Sequence, residues 1–533
     1  MRRSHSSSSR CIRQATHTLE PLEGRQLFNG GSVDTTFGSN GFTRPFGFMP
    51  EAIAIQADGK SVVAGNLNNQ FAVGRIDANG QVDTTFGPNH SGVDAGIAAT
   101  SINGQKVYVK KVAVQSDGKI IVAGSIGRGN DYQYALVRFN ANGSLDTSFG
   151  IKGVAYILPY NDEAWIGGLT VQPNGKILFT ASRDNGTILD DSDIIVARLL
   201  PNGSLDNTFG DSLGSIRRGY VTTDFNSRGD TPTGIALMSN GQIVVGGDAG
   251  GGGQQGWVFA RYNPNGTLDK TFDHDGIVGT DFPSFNYQGS LDAFAVEPDG
   301  EIYAAGIVAQ SREFVAHYLP SGAFDIHFGN GGVFPGSAAN YTPPVAVFLP
   351  APGKILIVNS TGGGVQAVQY ASSGALDPSF GVKGVATVSA AGTAGVNSNN
   401  LFYAIGAVEN GHGQFVVAAW SGSADPSTSF TRIVEETPTV TVSSSQTIVG
   451  ARIEETITVK RDQAYDFDTK VTINTTLTNA GHAAMAAVAS PAGATAAGEL
   501  VVDIPAGQTQ VVLHLAEPII QPIPVAKGTF SEA

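Results

Sequence analysis

The stretch QSDGKIIVAG (residues 115–124), followed across one further strand by ANGSLDTSFG (141–150), decides the fold of this chain. Asp117-Gly118 stands between alternating apolar runs, a hairpin signal, because a tight type I′ turn needs positive φ at its central residues. The same hairpin returns as QADGKSVVAG (56–65), QPNGKILFTA (172–181), MSNGQIVVGG (238–247), EPDGEIYAAG (297–306), APGKILIVN (351–359) and ENGHGQFVVAA (409–419). Its turn glycines, from Gly59 to Gly413, lie 59, 57, 66, 59, 53 and 60 residues apart, which makes seven units. A second signature keeps step: VDTTFG (33–38 and 82–87), LDTSFG, LDNTFG (205–210), LDKTFD (268–273), FDIHFG (324–329) and LDPSFG (376–381). Each unit reads as four short strands, in the first unit 41–46, 52–56, 60–66 and 71–77. Four antiparallel strands at this period describe a β-propeller blade, whose two faces are buried only by packing against neighbours in a ring. The fold class read from the sequence is therefore all-β: a seven-bladed β-propeller over residues 29–434, followed by a small immunoglobulin-like β-sandwich over 435–533.

The repeated residues have structural explanations. The motif Asp can accept from a backbone N–H two residues on, Phe can plug a blade interface, and Gly can take positive φ. On this reading Phe86, Phe149, Phe209, Phe272, Phe328 and Phe380 are core residues. An Arg recurs eight residues before the Asp, pairing Arg75 with Asp83, Arg138 with Asp146, Arg198 with Asp206 and Arg261 with Asp269; His317 and Gln369 replace it before Asp325 and Asp377. Constant spacing across a tight turn predicts a local ion pair instead of a set of catalytic acids. Asp34 has the motif without a preceding Arg strand, and Arg432 has the strand without a following motif. The two halves predict that residues 33–38 dock beside the strand around 430–434 and close the ring. The small pairs Ala64-Gly65, Ala123-Gly124, Gly246-Gly247 and Ala305-Gly306 are expected where neighbouring sheets approach.

The order DGKIIVAG, a strand with Arg, then ANGSLDTSFG resembles the delta-60 repeat, and the resemblance covers residues 32 to about 434. It implies a propeller of the kind found in exported bacterial proteins, and it implies no common activity.

Composition agrees with a turn-rich β protein: 69 of 533 residues are Gly and only 15% are charged, against a usual ~25% charged. Glycine has no period of three, which excludes collagen, and no stretch approaches the ~18–20 apolar residues of a spanning helix. The net charge of −14 argues against nucleic acid as a partner. Cys11 is the only cysteine, so no intramolecular disulfide is possible. Residues 1–28 are Ser- and Arg-rich, read as a disordered leader, and Leu19-Glu20-Pro21-Leu22-Glu23-Gly24-Arg25-Gln26-Leu27-Phe28 resembles the LEPR-XLL sorting segment of exported planctomycete-type proteins. That resemblance implies a bacterial cell-surface or extracellular location.

After Val434 the chain becomes Thr-, Val- and Ala-rich, with alternation over 439–442, 455–459, 470–475, 499–504 and 510–515. PTVTV and IPAGQTQVVLHL resemble a Calx-beta domain, a sandwich that in its family can bind Ca²⁺ and that reads here as cut short, since PVAKGTFSEA ends about where a last strand would lie. Asp462, Asp466 and Asp468 are the candidate oxygen ligands, since Ca²⁺ takes six to eight.

No HExxH, Walker A, CxxC or GxSxG motif is present. Gly251–Gly256 fits GxGxxG by letters but reads as a hairpin loop between two strands, without the helix that pyrophosphate binding needs. Asp190, Asp191 and Asp193, and separately Asp273 and Asp275, are metal candidates, against a reading as solvated loops. Trp165, Trp257 and Trp420 are candidate sugar-stacking residues, against a reading as core. No catalytic or cofactor-binding residue is assigned, and no cofactor is expected apart from calcium. The functional expectation is a cell-surface binding or scaffold protein presenting a propeller face to a protein or glycan ligand, without catalysis. The alternatives are a propeller glycan hydrolase or lyase with carboxylates converging on the central channel, and a purely structural envelope module.

Overall fold

The computed structural model describes residues 31–434 apart from 93, 129–130, 160–164, 185–191, 215, 226–228, 252–253, 281–288, 309–311, 330, 337–342, 362–363, 390–401, 410–413 and 422–426. Beyond 434 it describes the strands Val440–Val449, Arg452–Arg461, Thr469–Asn474, Glu499–Ile504 and Gln510–Pro518. Among the described residues there is no helix, and so none long and apolar enough to cross a membrane.

Residues 31–434 form a seven-bladed propeller. The first blade contains Met49–Ile55, Ser61–Leu67, Gln70–Ile76 and Ile97–Thr100, hydrogen-bonded antiparallel in that order, and blades two to six repeat the arrangement. The first strands of successive blades pack on one another all the way round, and Phe402–Glu409 of blade seven closes on Met49–Ile55 of blade one. These seven strands therefore form the inner ring around the channel.

The sequence phasing is off by one strand. Phe42–Phe46, read as the first strand of unit one, instead pairs with Ser427–Val434 and completes blade seven. The reason lies in the pairing: in every blade the strand after the motif binds the third strand, the one that bears the Arg in five of them, and for the first motif that strand stands at the far end of the propeller chain. Ser32 and Val33 pair with Val434 and Ile433 along the same strand. The ring is thus closed by main-chain hydrogen bonds between its two ends.

Burial follows the blade interfaces. Seven apolar clusters are present, each drawn from two adjacent blades. Each contains one motif phenylalanine, Phe37, Phe86, Phe149, Phe209, Phe272, Phe328 or Phe380, and every one of these is fully buried. Removing such a side chain from a core costs roughly 3–5 kcal/mol.

The small residues of the second strand have a more local cause than sheet-to-sheet approach alone. A Cβ at Gly65 would stand 2.0 Å from the Met49 carbonyl oxygen of its own blade, and at Gly306 2.0 Å from that of Ser290 and 2.7 Å from Trp257 of the preceding blade. The intrusive carbonyl comes from an irregularity in the neighbouring inner strand.

After residue 434, Val440–Val449, Arg452–Arg461 and Gln510–Pro518 form one antiparallel sheet and Thr469–Asn474 with Glu499–Ile504 another. Asp462, Asp466 and Asp468, and the leader 1–28, lie outside the described residues.

Candidate functional site

All seven inner strands carry a β-bulge at the same place. In blade one Pro50 pairs with Gly65 and Ala52 with Ala64, leaving Glu51 unmatched. The equivalent unmatched residues are Lys110, Gly167, Thr233, Asp292, Val345 and Ile405. A bulge bends the strand and re-aims a side chain. Here five of the seven, Glu51, Lys110, Gly167, Thr233 and Asp292, line a single cavity of about 380 Å³, while Val345 and Ile405 pack against the apolar clusters between blades.

The charged groups of that cavity are Glu51, Lys110, Lys111, Asp248 and Asp292, drawn from blades one, two, four and five, with Trp165 of blade three beside them. Lys110 reaches Glu51 at 3.6 Å. Asp248 occupies the second-strand position that is Asn66 in blade one and Ser360 in blade six. All three tie their blade to the next: Asn66 donates to the Val107 carbonyl at 2.6 Å, Ser360 accepts from Ala404 N–H at 2.9 Å, and Asp248 accepts from Leu291 N–H at 2.7 Å. Burial pushes the Asp248 carboxyl up to about 8, against the Leu291 hydrogen bond and with added repulsion from Asp292. Burial likewise raises Asp292 to about 7, although Ser290 Oγ donates to it at 3.3 Å. Burial lowers the Lys111 ammonium to about 8, with Lys110 adding to the effect. Desolvation disfavours whichever form is charged, so these two acids and one base all titrate near pH 7 to 8.

Trp165 is 54% exposed, whereas Trp257 is completely buried and Trp420 stacks on Tyr403 at 5.8 Å. The core reading therefore fits Trp257 and is corrected for Trp165. The mouth residues were missed in the sequence, because the repeat signature lies on the second and third strands and the bulge position has no fixed residue type.

The repeated polar residues assemble elsewhere. Nε of Arg75, Arg138, Arg198, Arg261 and Arg432 donates to Asp83, Asp146, Asp206, Asp269 and Asp34 at 2.7–2.9 Å. Each guanidinium also donates to a main-chain carbonyl of the following blade, Ala141, Pro201, Pro264, Pro320 or Ala78, and lies 4.4–5.0 Å from the motif Phe ring. In blade five His317 stands between Asp325 at 3.1 Å and Glu301 at 3.2 Å, stacked on Tyr303; in blade six Lys354 lies 3.7 Å from Asp377. The five arginine groups clasp one blade to the next, whereas the contacts of His317 and Lys354 stay within their own blades.

Of the metal candidates, Asp190 and Asp191 lie outside the described residues. Asp193 meets Asp224 and Asp230, their carboxylate oxygens within 4.8 Å of one another. Asp230 is fully buried and accepts from Phe225 N–H at 2.9 Å. Oxygen donors of this kind suit Ca²⁺, which needs three or more further ligands. Asp273 and Asp275 form no such group: Asp273 has positive φ, and Asp275 accepts from Ile277 N–H at 2.9 Å. Gly251 and Gln254 end the two strands of a hairpin, with no helix following. A second depression, of about 440 Å³ between blades three and four, has its polar side chains engaged, Arg217 with the Gly210 carbonyl and Asp211 with Thr222 N–H.

Four stretches, 56–86, 115–149, 172–209 and 239–272, match the family described as "Domain of unknown function (DUF5122) beta-propeller". No curated protein matches the chain. Among solved structures it is similar to YCF48 from Cyanidioschyzon merolae, at 9% identity over 73% of this chain and 98% of that one, TM-score 0.39. A protein of unknown function from Dyadobacter fermentans is similar at 11% identity over 61% and 93%, TM-score 0.38. A glucose dehydrogenase is similar at 10% identity over 60% and 96%, TM-score 0.35. Likenesses at this level carry no functional argument.

Proposed function

We propose that the protein is a binding protein that takes a glycan at the channel mouth, carried to the cell surface by its leader and held off it by the C-terminal sandwich. One observation carries the ligand reading: bulge residues from five blades surround one cavity of about 380 Å³, with a 54% exposed indole, Trp165, beside carboxyl and ammonium groups. Binding sites are concave, with a few convergent polar groups that fix orientation. An indole offers an apolar face to the C–H face of a pyranose ring, while carboxyls near neutrality can both donate to and accept from hydroxyls. Binding without turnover is preferred because Asp248 Oδ1 is held by the Leu291 amide and Glu51 is paired with Lys110, so two of the three carboxyls at the mouth are already engaged within the protein. The proximity of two raised carboxyls favours a hydrolase or lyase as the second reading, which release of new reducing ends or unsaturated products would establish.

Titration of the full-length protein with a panel of oligosaccharides, followed by tryptophan fluorescence, tests the binding reading. Trp165→Ala is expected to remove both binding and the ligand-induced fluorescence change while leaving the unfolding temperature in place. If the variant binds every sugar as the parent does, the mouth is not the site.

A further inference from the structure

The residue immediately after each bulge is small in six blades: Ala52, Gly168, Gly234, Ala293, Ala346 and Gly406. The packing explains this. A Cβ at Gly168 would lie 2.6 Å from Ile235 of the following blade, and one at Gly234 2.8 Å from Phe294. Blade two alone breaks the pattern, with Lys111. Four methylenes and an ammonium replace a hydrogen or a methyl in the tightest part of the ring, which core packing does not call for. The next blade round carries Gly167-Gly168 at its bulge, the smallest pair of the seven, and the lysine lines the cavity beside Gly167.

Lys111 is also unmatched in charge. Its neighbour Lys110 is paired with Glu51, but among the described residues Lys111 has no hydrogen bond and no ion pair. Asp248 and Asp292 come from blades four and five, two and three blades further round, and neither forms an ion pair with Lys111. Among the described residues the mouth thus presents one unpaired cation, Lys111, beside the Lys110–Glu51 pair, and two protonatable acids from blades four and five, with the Trp165 indole of blade three between them in blade order.

We propose that Lys111 is the anchor for a carboxylate on the ligand, so that the glycan taken at the mouth carries uronic acid residues. This rests on the reading of the mouth as a glycan site and adds its substrate class. A half-buried ammonium with no ion-pair partner among the described residues gains a charge-assisted hydrogen bond when an anion arrives. Neutral Asp248 and Asp292 serve as donors to the same anionic sugar, and ionised they repel it. The charged groups facing the cavity are Glu51, Lys110, Lys111, Asp248 and Asp292. As pH rises from 6 to 9, Asp292 and Asp248 gain negative charge and Lys111 loses its positive charge, so all three changes weaken anion binding.

The test is calorimetric titration of the full-length protein with trigalacturonate, its neutral methyl ester and an acidic oligoglutamate peptide. Trigalacturonate is expected to bind about 10- to 100-fold more tightly than the ester, and less tightly as pH rises. Lys111→Ala should reduce its affinity to that of the ester and flatten the pH profile, with Lys111→Arg restoring part of the preference. Lys111→Ala should also leave the unfolding temperature unchanged or higher, since six blades hold Ala or Gly there. Equal affinity for acid and ester, or a preference that survives Lys111→Ala, overturns the uronate assignment while leaving the glycan site standing. Tighter binding of oligoglutamate than of the sugar, lost in Lys111→Ala, overturns it in favour of an acidic peptide. Absence of binding by any sugar, with Trp165→Ala silent, overturns the glycan site itself.

Discussion

Each clasp arginine does three things at once: it pairs with the motif Asp, donates to a carbonyl of the next blade and covers the motif Phe ring. The sequence spacing of eight residues made the first of these readable, because both partners lie within one tight turn. The second was not, since Arg198 and the Pro264 carbonyl are separated by a whole repeat. Asp206 is 2% exposed and also takes Lys176 at 2.8 Å, so its loss strands two buried or half-buried cations. Asp206→Asn is expected to lower stability by about 3–5 kcal/mol, measured by denaturant unfolding; a loss below 1 kcal/mol would show the clasp to be incidental. These aspartates also set an acid limit. Burial works against their ionisation but is outweighed by hydrogen bonds from Thr85 and Lys60 and by Arg75 at Asp83, and from Ser148 with Arg138 and Lys119 at Asp146, holding both at about 2. Folded values below the unfolded 3.8 mean that their stabilisation is present above about pH 4 and is lost as pH falls toward 2.

At the scale of strands, the bulge is the device that builds the mouth. It was invisible in the sequence because its seven residues, from Glu51 to Ile405, share no chemistry, and because one inserted residue flips the period-two alternation part-way along strands of six to nine residues, leaving only a short run on either side to read. What was readable was the small residue it forces opposite, Gly65 or Gly306, though not its cause. Strand order within a blade was readable from hairpin turns, whereas the phase of the repeat depended on which strand completes blade seven. Phe37 and Phe46 belong to the core between blades seven and one. A chain beginning at residue 48 loses both, together with every hydrogen bond made by Ser32–Val33 and Phe42–Phe46. Calorimetry should show a lower unfolding temperature and a broader transition than for the full chain; an unchanged transition would contradict closure by these strands.

For the molecule as a whole, seven equivalent interfaces free the inner ring to vary. The interfaces carry the repeated Phe, Arg and Asp, so the bulge residues and their neighbours are where seven similar blades become chemically distinct. Blades one to five bring charge, glycine or an indole to the mouth, while in blades six and seven the bulge residues Val345 and Ile405 pack against the core clusters. The repeated signature therefore displays the fold in full and leaves the site hidden, since the site consists of departures from it. Lys111 is such a departure: a lysine without an ion-pair partner among the described residues, at one mouth of a chain with net charge −14. The most direct measurement is a crystal structure of the full-length protein grown with trigalacturonate. The account predicts sugar density in the channel mouth, one ring against Trp165 and one carboxylate within hydrogen-bonding distance of Lys111 Nζ. Density at the outer edges of the blades, or an empty mouth at saturating sugar, would contradict it.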